Sequence, residues 1–206
     1  KSPATHWPAA RILGALDDAL LTKNIGRALG KELRAMNIDL CFAPVLDVDT
    51  NPANPVIGDR SFSSNPGQVS KHAIAFYQGL KEASIAGCGK HFPGHGDTHL
   101  DSHFALPHVD HEFERIEQIE WAPFKKAVGA GFEAIMSAHV VLECIDTKHP
   151  ATLSHKVLQH LRKDIGFDGI LFSDDLDMKA LADHYAAQDI AQLGIDAGID
   201  CFLACK

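Results

Sequence analysis

The segment Ser154-His155-Lys156-Val157-Leu158-Gln159-His160-Leu161-Arg162-Lys163-Asp164-Ile165-Gly166-Phe167-Asp168-Gly169-Ile170-Leu171-Phe172-Ser173-Asp174-Asp175 spells out one helix and one strand in succession. Val157, Leu158, Leu161 and Ile165 recur at helical spacing, Ser154 is suited to cap the start of that helix, and Gly166 is suited to close it. Asp168-Gly169 then turns the chain into a run, Gly169 to Ser173, that is apolar at nearly every position. A strand without polar alternation fits a parallel sheet covered by helices and does not fit a half-exposed antiparallel one. Polar groups, Ser173, Asp174 and Asp175, gather where the strand ends.

The same unit repeats outward in both directions. Apolar, β-prone runs occupy Ile38 to Val45, Gly87 to Phe92, Ala134 to Val141 and Asp200 to Cys205. Between them, Leu16, Leu20, Leu29, Leu33 and Met36 predict a helix, as do Val69, Ala73, Phe76 and Leu80. Gly129 and Gly131 punctuate the approach to one strand and Gly198 the approach to another. Repeated strand–helix units predict an α/β fold with a parallel sheet. No linker, low-complexity stretch or second compositional regime divides residues 1–206, which are read as a single domain or part of one. The 206 residues fall short of the roughly 250 of a complete (β/α)8 barrel.

Composition narrows the partners. The chain has 19 basic and 27 acidic side chains, a formal charge of −8, and no run of Lys or Arg. This argues against nucleic acid and against an anionic membrane surface, both of which call for a basic face. The longest apolar runs are far below the ~18 residues of a membrane span. Small molecules or neutral polymers are the expected partners. The five cysteines, Cys41, Cys88, Cys144, Cys201 and Cys205, are odd in number and include no CxxC pair, and all but Cys205 sit in apolar stretches. They are expected to be buried free thiols in a reducing, cytoplasmic setting, and residues 1–8 contain no apolar export signal. The 13 histidines are unusual; most are expected on the solvated surface.

Residues with chemical potential collect after the strands: Asp47 and Asp49, Lys90 and His91, His139, and Ser173 to Asp175. In parallel α/β folds, ligands and catalytic groups lie beyond the C-terminal strand ends. Any one Asp or Ser there could instead cap the next helix. The densest stretch is Lys90-His91-Phe92-Pro93-Gly94-His95-Gly96-Asp97-Thr98-His99-Leu100-Asp101-Ser102-His103, a loop by its glycines and proline. It admits three readings. His91, His95 and Asp97 could bind a metal in a metal-dependent hydrolase, although the spacing matches no familiar signature. The loop could be a histidine-rich surface segment. Asp101-x-His103 could be an acid/base dyad, with a carboxylate fixing an imidazole tautomer, and Asp174 or Asp175 could then supply a nucleophile, following the logic of retaining glycoside hydrolysis. Asp47 reads as a supporting carboxylate, and His139, late in its strand, as a group facing the barrel mouth or a satisfied core histidine.

The strings Lys90 to Thr98, Asp101-Ser102-His103, Ile57-Gly58-Asp59-Arg60-Ser61, Ala43-Pro44-Val45-Leu46-Asp47-Val48 and Ser173-Asp174-Asp175-Leu176-x-Met178 together resemble glycoside hydrolase family 3. More narrowly, they resemble its bacterial β-N-acetylglucosaminidases of peptidoglycan recycling. The resemblance runs through the whole chain in consistent order. It implies that Asp174 is the nucleophile, His103 the acid/base with Asp101 as its partner, and Arg60, Lys90 and His91 the groups that bind the non-reducing N-acetylglucosamine. It implies no metal and no cofactor. A non-catalytic sugar-binding remnant that keeps Arg60 and Lys90 is a further alternative.

Members of that family place a strand, a further βα unit and an Asp-Gln-Glu-Gly-Gly segment ahead of the region matching Pro8-Ala9-Ala10. None of these lies within residues 1–206. The resemblance therefore implies an incomplete (β/α)8 TIM-type barrel, with its third to seventh strands present.

Overall fold

The computed structural model describes residues 5–99 and 106–205. Its strands are β1 (Leu40–Cys41), β2 (Ala86–Phe92), β3 (His108–Val109), β4 (Ala134–Ser137), β5 (Val141–Leu142), β6 (Ile170–Asp175) and β7 (Cys201–Leu203). Among the described residues, eight α-helices accompany them: α1 (Ala10–Leu16), α2 (Ala19–Ala35), α3 (Pro66–Glu82), α4 (Phe113–Gln118), α5 (Ala122–Gly129), α6 (His155–Gln159), α7 (Lys179–Ala182) and α8 (Ala187–Ala197). Five strands form one all-parallel sheet in the order β1-β2-β4-β6-β7, with helices returning the chain between neighbours. This is an incomplete (β/α)8-type barrel. Among the described residues, no helix is long and apolar enough to cross a membrane.

Strand alternation divides the apolar side chains into two layers. Ile135 and Leu171 face the helices and join Leu46, Phe92, Trp121 and Phe124 in the main core. Cys88, Ala134, Met136 and Phe172 line the concave side with Leu40, Cys201 and Leu203. The register sets Lys90 beside Met136, Met136 beside Phe172 and Phe172 beside Cys201, so Lys90 lies level with the apolar floor of the concave face.

The signals read between Ser154 and Asp175 act as expected. Ser154 Oγ accepts the Val157 N–H at 3.2 Å, and Val157, Leu158 and Leu161 are fully buried. A π-turn over His160–Asp164 follows α6, and Gly166 takes φ 81° before β6. The face of α3 carrying Val69, Ala73 and Leu80 is likewise buried.

Four expectations need correction. The leucine pattern from Leu16 to Met36 covers two helices, because Asp17 adopts φ 54° and Asp18 caps α2. Leu16, Leu20 and Met36 are exposed, and α2 instead buries Thr22, Gly26 and Gly30. Small residues allow close helix contact here: a Cβ at Gly26 would lie 2.3 Å from the Phe76 carbonyl oxygen in α3. Second, the run Ile38 to Val45 pairs as a strand only at Leu40–Cys41, with one isolated bridge from Val45 to Lys90, since Pro44 has no N–H to give a ladder. Third, the run Ala134 to Val141 splits: β4 ends at Ser137, and Val141–Leu142 pairs with His108–Val109 in a separate parallel pair. Fourth, only Cys88 is buried; Cys41 and Cys201 are half-buried, and Cys144 and Cys205 are exposed.

Candidate active site

Two strand ends and one strand exit build the site. Lys90 and His91 are near the end of β2, Asp174 is near the end of β6, and Asp47 follows the Val45 bridge. Alternation puts Asp174 on the same concave side as Phe172, and Lys90 on that of Cys88. Asp47 is fully buried and accepts the ring Nδ1–H of His91 at 2.7 Å, the peptide N–H of His91 at 3.2 Å and the peptide N–H of His95 at 2.7 Å. Asn54 Nδ2 donates to the carbonyls of His95 and Thr98 at 2.8 and 3.0 Å, and His95 Nδ1 meets Thr98 Oγ1 at 2.7 Å. The loop after β2 is thereby held to the segment after β1.

Burial raises the pKa of Asp174, but the imidazoles of His91 and His139, the peptide N–H of Asp175 and the Lys90 ammonium outweigh it, leaving the carboxyl below its usual range. The Asp175 N–H donates to Asp174 Oδ1 at 2.8 Å. Burial lowers Lys90, as does the Arg60 guanidinium, against the attraction of Asp174, Cys88 and Asp47. Burial also brings His95 down to about 4, helped by His91, so its ring is neutral near pH 7. His139 is buried after the end of β4; its Nε2–H donates to the Asp175 carbonyl at 3.0 Å and its Nδ1 meets Thr152 Oγ1 at 2.9 Å. The arrangement is an ionised carboxylate at a strand tip, with a cation and imidazoles around it and an apolar floor beneath.

Residues 1–206 match the Glycosyl hydrolase family 3 N terminal domain. The chain belongs to glycosyl hydrolase family 3. A β-hexosaminidase of Neisseria meningitidis serogroup C (strain 053442) is 42% identical over 210 residues, covering 98% of this chain and 58% of that protein. The structure of a glycoside hydrolase family 3 β-N-acetylglucosaminidase from Paenibacillus sp. str. FPU-7 superposes with a TM-score of 0.96 at 41% identity, over 99% of this chain and 39% of that one. NagZ from Neisseria gonorrhoeae, in complex with N-trifluoroacetyl-D-glucosamine, gives 0.91 at 40% identity, over 100% of this chain and 61% of that one. The chain thus spans a little over half the length of the curated relatives it matches.

Of the family 3 positions read from the sequence, Lys90, His91 and Asp174 come together at the barrel mouth, and the charge of exposed Arg60 reaches Lys90. Arg60 ends a 3-10 turn over Gly58–Arg60, where its guanidinium donates to the Val56 carbonyl at 3.1 Å. Asp101 and His103 lie outside the described residues. The metal reading of His91, His95 and Asp97 finds no support in the arrangement. Asp97 pairs with His111, accepts Thr50 Oγ1 at 2.7 Å and lies 3.8 Å from Arg115; among the described residues, no three His, Cys, Asp or Glu side chains are grouped to hold an ion. Asp175 accepts the N–H groups of Asp177 and Cys205 at 3.1 and 3.2 Å.

Most of the described histidines are exposed or half-exposed, as the sequence led us to expect, with four exceptions. His72, His91, His95 and His139 are buried, and His72, His91, His108, His111, His149 and His160 each face a carboxylate. His111 carries no local signal in the sequence; its partner Asp97 is 14 residues away. Asp47 was legible as a carboxylate after a strand, and only the packing identifies the histidine it holds.

Proposed function

We propose that this chain is the catalytic part of a retaining exo-β-N-acetylglucosaminidase that removes terminal β-linked N-acetylglucosamine from peptidoglycan-derived muropeptides or related glycans. The observation that carries the reading is Asp174: a half-buried carboxylate at a strand tip, kept ionised by the groups around it and bordered by Lys90 and His91. Family membership and the β-hexosaminidase and β-N-acetylglucosaminidase relatives support the reaction class and the sugar.

In this mechanism the Asp174 carboxylate attacks the anomeric carbon while His103, protonated, gives its proton to the departing oxygen. The product is a covalent glycosyl-enzyme. His103, now neutral, takes a proton from water as the water attacks the same carbon, and Asp174 is released. Asp101 orients and charges the His103 ring; both roles rest on the sequence. Lys90, His91 and Arg60 bind sugar hydroxyls. The compartment proposed from the unpaired cysteines is the cytoplasm.

Replacing Asp174 with Ala in the intact protein that carries this chain should abolish hydrolysis of an aryl N-acetyl-β-glucosaminide, and NMR of early wild-type product should show the β anomer. Unchanged turnover removes Asp174 from the mechanism, and an α product removes the covalent intermediate. Binding of N-acetylglucosamine without any wild-type turnover would replace the enzyme reading with that of a sugar-binding remnant.

A further inference from the structure

The three donors that meet Asp47 have unequal needs. Peptide N–H groups from His91 and His95 are satisfied by any good acceptor, and a neutral amide oxygen in the same place would serve them. The 2.7 Å contact to His91 Nδ1 differs, because a carboxylate only accepts and so holds a proton on Nδ1. When the ring is neutral, its lone pair is then on Nε2. Among the described residues, Nε2 of His91 makes no hydrogen bond, although the ring is buried at the concave mouth next to Asp174. Burying an ionised carboxylate completely is costly unless it is fully hydrogen-bonded, and two peptide groups alone do not call for a charge.

We propose that Asp47 is a positioning residue for the glycosidase reaction, holding His91 in the Nδ1–H form so that Nε2 is presented to the bound sugar as an acceptor for one of its hydroxyl groups. The inference rests on the glycosidase reading above. It concerns how His91 recognises the sugar, with Asp47 acting through the ring and never touching substrate. The peptide N–H of His95 on the same carboxylate couples the seat of the ring to the loop after β2.

The test uses the intact protein. Asp47→Asn offers the ring an amide that can donate to Nδ1 and so favours the opposite tautomer. Its kcat/KM on an aryl N-acetyl-β-glucosaminide should fall about ten- to a hundred-fold, by analogy with the cost of losing a carboxylate that orients a metal-binding histidine, mostly through KM. His91→Ala should fall comparably, and the double variant no further than His91→Ala. With deoxy analogues of the substrate, the wild type should lose affinity on removal of one ring hydroxyl, and Asp47→Asn should not distinguish that analogue from the parent. A full additive loss in the double variant would make Asp47 a purely structural carboxylate and overturn the proposal. If Asp47→Asn does not fold, long-range 1H–15N correlation on the wild type decides: a protonated Nδ1 and bare Nε2 on His91 uphold the proposal, and the reverse overturns it. Failure of the glycosidase reading itself would appear separately, as absence of wild-type hydrolysis, whichever tautomer the ring adopts.

Discussion

The carboxylate of Asp97 is paired with Nε2 of His111, 14 residues further along the chain. Thr50 Oγ1 donates to the same carboxylate at 2.7 Å, and Arg115, which also binds Glu120 at 2.9 Å, lies 3.8 Å from it. One side chain in the loop after β2 thus fastens that loop to the segment after β1 and to the approach to α4. Partial burial raises the Asp97 carboxyl, but hydrogen bonds from His111 and Thr50 and the charges of His111 and Arg115 leave it below the usual range.

A carboxyl with a depressed folded pKa stabilises the fold fully above its unfolded value of 3.8 and loses that contribution as the pH falls through the folded value. Asp97→Asn should therefore cost about 1 kcal/mol near pH 6, a figure reduced for partial solvent access, with the cost shrinking below pH 3.8. Urea unfolding of both forms across this range checks it. A difference that stays constant to the lowest pH would mean that the carboxylate charge is not the stabilising element.

Lys90 helps hold Asp174 ionised. Removing the cation in Lys90→Met disfavours the carboxylate, so the acid limb of the kcat/KM profile should move to higher pH, together with the rise in KM expected if Lys90 binds the sugar as proposed. An acid limb that stays in place in this variant would assign that limb to another group.

Gly79 of α3 packs directly on α2: a Cβ there would lie 2.1 Å from the Lys23 carbonyl oxygen and 2.6 Å from the Arg27 nitrogen. Both are backbone atoms that cannot rotate away. Gly79→Ala should push the two helices apart and cost about 1–3 kcal/mol, despite the better helix propensity of alanine. Thermal melting followed by circular dichroism measures it; a neutral or stabilising outcome would show that the helices are not in this contact in solution.

Cys88 sits on the concave face, where burial pushes its thiol up to about 12. Iodoacetamide at pH 8 should leave it unmodified in the folded protein while reaching exposed Cys144, and should reach it after denaturation. Peptide mass spectrometry separates the two sites. Equal labelling of both in the native state would contradict the burial.

The strand–helix alternation was legible in the sequence because each element satisfies a local rule. Ser154, Gly166 and the apolar run to Phe172 specify a cap, a stop and a buried strand without reference to distant residues. The same holds for the grouping of Lys90, His91 and Asp174 at strand ends, which follows from parallel topology alone. Side-chain periodicity could not show which face of α2 is covered, because the contact with α3 depends on the absence of side chains at Gly26 and Gly79. Nor could it show β3 and β5, whose two-residue pairing is too short to leave a pattern.

By itself, then, the sequence determined the α/β class and the gathering of polar groups at the strand ends, which follow from local propensity and periodicity, and its motif order carried the resemblance that implied an incomplete barrel. Tertiary structure alone decided which histidine each carboxylate holds. Asp47 meets a histidine 44 residues away and Asp97 one 14 residues away, separations set by where the barrel brings its loops together and by no rule of neighbouring residues.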